Sequence, residues 1–231
     1  MSAAEKFWIS SIGRKILMAV TGVLLLLFIF GHMVGNLQIF IGAEALNRYA
    51  AFLQGLGELL WVIRFGLLVV FVVHIILSIQ LTLENRSARP IKYRCEDTVQ
   101  ASLASRTMIW TGLLVLGFII LHILHFTMGV LQPEIFHEMH TKEPPDVYSI
   151  VVMGFQNIGF ASFYILLMIC LGFHVSHAIM SACETLGLNH SKYHPTVTKL
   201  SVILGWVIAV GYIVVPLSVL VGLVNLPAGG M

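Results

Sequence analysis

The sequence predicts an all-α, polytopic membrane protein with five transmembrane helices, the first four forming a bundle. Three observations lead there. Of 231 residues, 58% are apolar and only 10% charged, where soluble domains carry about 25% charged residues. Mean hydropathy is +0.93. Five apolar runs each reach the ~20 residues that a bilayer core requires. This balance excludes a disordered chain, a nucleic-acid-binding domain and a secreted disulfide scaffold. The net charge of +2 says little about partners beyond the lipid bilayer. Ten histidines against eleven Asp plus Glu is the anomaly, because imidazoles in hydrocarbon are costly.

The predicted spans are about 16–41, 59–83, 107–131, 160–183 and 200–226, all within one membrane domain of 1–231. The first run follows Lys6, Arg14 and Lys15, as a signal peptide would. It extends for about 27 residues, however, where signal h-regions have ~7–15. It therefore reads as a retained anchor, although Ala43-Glu44-Ala45 resembles a cleavage site. Asn157 and Gly159 interrupt the approach to the fourth run, which puts Tyr148–Phe155 in the interface. Pro216 is expected to kink the fifth. No repeat or second domain is visible. Cys95, Cys170 and Cys183 form no CxxC, which argues against disulfides, zinc and covalently attached haem.

The loop charges orient the chain. The N-terminus, residues 84–106 and residues 184–199 together hold ten of the thirteen Lys and Arg. By the positive-inside rule these face the cytoplasm, so the N-terminus is inside and the C-terminus outside after five crossings.

Six histidines lie inside the apolar helices: His32, His74, His122, His125, His174 and His177. A single intramembrane histidine is most simply a hydrogen-bonded packing residue. Four consecutive helices each carrying one require more. Taking ~1.5 Å per residue, His32 stands about 26 Å above Lys15, and His122 about 24 Å above Arg106. His74 stands about 18 Å from Arg86, and His174 about 15 Å from Glu184, by the same rise. The first and third helices thus carry histidine towards the outer face, and the second and fourth towards the cytoplasm. A six-coordinate haem needs two neutral imidazoles on opposite sides of one plane. His32 with His122 suits an outer haem, and His74 with His174 an inner one. Those four are the expected ligands of the haem iron.

Gly31, Gly35, Gly117 and Gly172 leave room for a macrocycle edge or simply pack helices. His125 and His177 follow His122 and His174 by three residues and share their faces. They remain alternative ligands, or contacts to haem propionates or quinone. A di-iron site lacks its carboxylates in the helix interiors. His137, His140, His190 and His194 read as solvated loop residues, and the ten methionines as core filler.

Several stretches carry a resemblance: Ser10–Lys15, Gly31-His32-Met33-Val34-Gly35-Asn36, His74, Leu121-His122-Ile123-Leu124-His125-Phe126, and His174-Val175-Ser176-His177 with Ser181-Ala182. Over nearly its whole length the chain resembles the single-subunit, di-haem cytochrome b anchor of succinate dehydrogenase and fumarate reductase, of the bacterial cytoplasmic membrane. That family pairs the first helix with the third at the distal haem and the second with the fourth at the proximal haem. The resemblance implies two haem b groups. It also implies a flavoprotein subunit with FAD and an iron–sulfur subunit with its clusters, both docked on the cytoplasmic face. Electrons would run from succinate through FAD, the clusters and the two haems to a quinone, with menaquinone favoured. The direction of the reaction and any higher oligomer of the complex stay open.

Quinone reduction takes up protons. Glu58 is the candidate proton donor, and Asn36 and Gln38 are candidates for hydrogen bonds to quinone. Arg14, Lys15, Arg106 and Lys199 are available to propionates or merely enforce topology. Some fumarate reductases carry a Glu beside the fourth-helix ligand; here Gly172 and Phe173 stand there, so that proton path is not carried over. Two other classes compete. One is the cytochrome b of a hydrogenase, formate dehydrogenase or nitrate reductase, whose helix number and histidine placement fit less well. The other is a transporter with a histidine proton relay, which calls for carboxylates along one path.

Overall fold

The computed structural model describes residues 7, 10–88, 102–143, 145–188 and 190–227. Arg89, Lys92, Arg94 and Cys95 of the basic loop lie outside the described residues, as do Lys6 and Pro144. The described residues form helices and no strand. Helix α1 is Ser11–Asn36, extended by a 3-10 turn Leu37–Phe40; α2 is Ala43–Gly55 and α3 Glu58–Ser87. Helix α4 is Leu103–His122, continued by a π-helical turn Ile123–Thr127. Then come α5 (Pro133–His140), α6 (Val147–Gln156), α7 (Ile158–Thr185) and α8 (His194–Leu220). Five of these, α1, α3, α4, α7 and α8, are long and apolar enough to cross a membrane.

Local chemistry sets the ends. The side chains of Ser10, Ser102 and Asn157 cap α1, α4 and α7 by accepting from Gly13, from Ser105, and from Gly159 and Phe160; such caps contribute about 0.5–2 kcal/mol each. Helices α7 and α8 stop at Gly187 (φ 89°) and Gly222 (φ 73°). There Leu188 N–H donates to Cys183 C=O at 2.8 Å and Leu223 N–H to Ser218 C=O at 2.9 Å, the six-to-one bonds of a left-handed C-terminal stop. That stop corrects the fifth span, expected at 200–226: it begins at His194 and ends at Leu220, running through the buried Pro216. The third span ends at Thr127 rather than 131.

The stretches expected as loops at 42–58 and 132–147 contain α2 and α5. Residues Tyr148–Phe155, expected in the interface, form α6, and α6 is the floor of the core. Val152 is fully buried with Ile39, Leu46, Tyr148, Phe155, Ala161, Tyr164 and Val215 around it. A second cluster joins Met33 of α1 to Leu167, Met168, Leu171 and Val175 of α7 and Ile208 of α8. Helix α7 is central, packing most tightly on α8 and also on α4 and α1. Helix α3 rests mainly on α1 and barely meets α4; of its thirty residues only Leu77 is buried. The space between the α1–α3 pair and the α4–α7 pair is where the histidines gather.

One polar lock holds the α2–α6 end. Asn47 donates to Asp146 Oδ1 at 2.9 Å and accepts from Tyr148 N–H at 2.8 Å. Asp146 in turn caps α6, accepting from Ser149 N–H at 3.1 Å and Ser149 Oγ at 2.7 Å. Partial burial pulls the Asp146 carboxyl upward, but the bonds from Ser149 and Asn47 and the charge of Lys142 outweigh it and hold it below the ordinary value of 3.8. A depressed folded value means this carboxylate stabilises the fold above the unfolded value and ceases to do so as pH falls through the folded one. Asp146→Asn therefore lowers the melting temperature in detergent at neutral pH. The gap to wild type closes as the pH is taken below 3.8. A gap that stays constant through that window excludes the lock.

Candidate functional site

Two tiers of histidine lie along the bundle. In the first, His32 of α1 and His122 of α4 approach with ring centroids 5.8 Å apart. The two imidazoles expected to share the outer haem are thus brought together from helices that otherwise hardly touch. Two imidazoles sharing one metal ion stand about 6 Å apart, given metal–nitrogen bonds of ~2.0–2.1 Å. His122 Nδ1 is buried and has no hydrogen-bond partner. A buried unpaired ring nitrogen is costly, and a bound group that engages the imidazole offsets that cost. Aromatic rings wall this tier: Phe28 stacks on His32 at 5.6 Å, and Phe118, Phe126 and Tyr164 lie 5.7–6.1 Å from His122. Tyr212 of α8 lies 6.2 Å from His32 and donates its hydroxyl to Ile29 C=O at 2.6 Å.

In the second tier, His74 of α3 packs on α1 and His174 of α7 packs on α4. Thr21 Oγ1 lies 3.1 Å from His74 Nδ1, and Thr111 Oγ1 lies 3.4 Å from His174 Nδ1. The glycine after each threonine lies against the ring. A Cβ on Gly22 would sit 3.4 Å from His74 Cε1, and one on Gly112 would sit 3.2 Å from His174 Cε1. Thr21 precedes His32 by eleven residues, and Thr111 precedes His122 by the same number. The tiers are thus about 16 Å apart along the helices.

The fit to two haems is good at the level of donors: four imidazoles, two per tier, each pair drawn from two helices, with an unpaired buried nitrogen in the outer pair. The two extra histidines differ from these. Both nitrogens of His125 are engaged, Nδ1 with Tyr164 Oη at 3.1 Å and Nε2 with Gln132 Oε1 at 2.7 Å. Its ring is stacked between Phe126 and Phe160, with centroids at 4.0 and 4.4 Å. The π-turn turns His125 into this pocket and away from the His32–His122 pair. His177 is half-buried, one turn along α7 from His174 towards Glu184.

The lesser candidates are scattered. Arg14 pairs with Glu84 at 2.6 Å, tying α1 to α3. Lys15 lines a crevice of about 300 Å³ with Ile12, Ile16, Glu184 and Thr185, at the same end of the bundle as Arg14. Arg106 lies in the first turn of α4, and Lys199 is exposed on α8. Asn36 bonds back to His32 C=O at 2.8 Å, which places its amide beside the outer tier. Gln38 is half-buried in the 3-10 turn, and Glu58 is exposed at the start of α3. An apolar crevice of about 320 Å³, lined by Leu121, Asn157, Gly159, Phe160 and Phe163, opens near the outer tier.

Sequence reasoning missed Thr21, Thr111, Tyr164 and Tyr212. The threonines had a signal, the recurrence of Thr-Gly at one distance before a histidine; the tyrosines had none. Comparison with protein-family models, with curated proteins and with solved structures gives no match.

Proposed function

We propose that the chain is the di-haem cytochrome b membrane anchor of a succinate:quinone oxidoreductase, carrying electrons between an iron–sulfur subunit and a quinone. The observation that supports this reading is the meeting of the His32 and His122 rings, with His74 and His174 held at one lower level against Thr21 and Thr111. Bound there, haem b supplies one-electron transfer across the membrane, with potentials tuned by ligands and burial. The four histidines hold the iron of each group as neutral imidazoles. The aromatic and aliphatic side chains around them exclude water and keep the path insulated. Glu58, Asn36 and Gln38 serve a menaquinone-type quinone at the outer end, with Glu58 as the proton donor. Arg14, Lys15, Arg106 and Lys199 serve the propionates of the inner group and the docking of the flavoprotein and iron–sulfur subunits on the cytoplasmic face of a bacterial membrane.

The arrangement favours this reading over a proton-relay transporter, because the interiors of the described spans hold almost no carboxylates to continue a relay. The test is the dithionite-reduced spectrum of the purified chain with its haem content. A b-type band with two haems per chain is expected. A haem-free protein that is folded and inserted refutes the proposal. A di-haem protein that fails to co-purify with a flavoprotein and an iron–sulfur protein refutes the anchor assignment alone.

A further inference from the structure

We propose that Thr21 and Thr111 are matched positioning residues, each accepting the Nδ1–H of the inner-tier histidine on the next membrane helix, so that Nε2 of His74 and of His174 faces the inner haem. The inference rests on the di-haem reading above and adds residues that it did not contain.

The basis is a module that occurs twice. Met18-Ala-Val-Thr21-Gly22 precedes His32, and Met108-Ile-Trp-Thr111-Gly112 precedes His122, with nine residues between the glycine and the histidine in both cases. No repeat was visible in the sequence pattern because the module is short and hydropathy does not mark it. The structure gives both copies the same environment. Each threonine hydroxyl has carbonyls of its own helix within bonding distance, Thr21 those of Leu17 and Met18 at 2.9 and 3.0 Å, and Thr111 those of Thr107 and Met108 at 3.2 and 3.1 Å. With its single proton given to one of those carbonyls, the hydroxyl offers the ring only a lone pair. The ring nitrogen facing it is therefore the donor, and Nδ1 carries the hydrogen. That acceptor fixes the tautomer of each ring and leaves Nε2 as the free donor of electrons. The glycine after each threonine lies against the ring edge, more tightly at Gly112 than at Gly22. Helices α1 and α4 thus do the same two jobs, each supplying one outer ligand and orienting one inner ligand.

An acceptor on the distal N–H makes a ligating imidazole more basic and favours the oxidised metal. Thr21→Val and Thr111→Val keep the shape and remove the acceptor. In the purified di-haem protein, each should shift the inner haem's midpoint potential to more positive values and weaken haem retention at that tier by about 10–100-fold. The outer haem should keep its potential. The ring orientation read from the low-spin haem signal in electron paramagnetic resonance should change for one haem only. Thr21→Val should act more strongly than Thr111→Val, since its bond is shorter. Thr21→Ser and Thr111→Ser should restore wild-type values. Should a valine variant fail to assemble, Thr21→Ala and Thr111→Ala carry the same expectation without added branching. Unchanged inner potential and retention in variants that assemble, or equal shifts of both haems, overturns the positioning role while leaving the di-haem reading intact. A wild-type protein without haem overturns both.

Discussion

His122→Ala should reduce the haem content from two per chain to one, with the surviving haem retaining the potential of the inner tier. The loss follows from the geometry of the outer pair. His122 Nδ1 is buried and has no partner within the protein, and the ring faces His32 at 5.8 Å. No other unengaged imidazole lies within one turn. The neighbour three residues on, His125, has both nitrogens bonded to Tyr164 and Gln132. His125→Ala should therefore retain both haems. Its cost should fall on stability, at about 1–3 kcal/mol for each buried polar partner left unsatisfied, read as a lower melting temperature of the haem-loaded protein. Spectra and melts on the two variants separate the roles. If His125→Ala loses a haem while His122→Ala keeps both, the ligand assignment in α4 is reversed.

The contrast between those two residues shows where the sequence was legible. Five spans could be read directly, because a helix in hydrocarbon must satisfy its own backbone and so needs a long apolar run. The depth of each histidine could be read too, since rise per residue is constant and loop charges give direction. Rotation about the helix axis could not. His122 and His125 differ in depth by less than one turn, and only the π-turn at Ile123–Thr127 sends one towards His32 and the other towards Gln132. The same limit hid Thr21 and Thr111. Their letters recur at equal spacing, but their meaning depends on α3 lying against α1 and α7 against α4. The helices at 43–55, 133–140 and 147–156 were missed for another reason. They are short, and only the helix at 147–156 is largely buried, so neither length nor charge marks them as membrane segments.

Gly205→Ala should be among the most destabilising single-methyl additions among the described residues, because its Cβ would meet the backbone of the neighbouring helix. Helices α7 and α8 meet through Gly172 and Ser176 on one side and Gly205 and Ala209 on the other, small residues four apart on both helices. In hydrocarbon, helix association depends on close packing of this kind, since water no longer drives it. A Cβ on Gly205 would sit 2.2 Å from Ser176 Oγ, 2.7 Å from its backbone N and 2.9 Å from its Cα. The hydroxyl could turn away at the cost of its 2.6 Å bond to Gly172 C=O. The backbone could not, so α8 would have to move off α7. Such overpacking costs typically about 1–3 kcal/mol, and Gly205→Val should cost more. Because His174 lies between Gly172 and Ser176 on α7, the displacement should also loosen the inner tier first. Gly66→Ala provides the control, as nothing lies within 4 Å of a Cβ there. It should be neutral or slightly stabilising, because alanine exceeds glycine in helix propensity by roughly 0.8–1.0 kcal/mol. Thermal unfolding in detergent, followed by loss of the inner haem band, distinguishes the two. Equal melting temperatures for Gly205→Ala and Gly66→Ala would mean that α7 and α8 do not meet backbone to backbone at Ser176, and the central place of α7 in the bundle would fall with that contact.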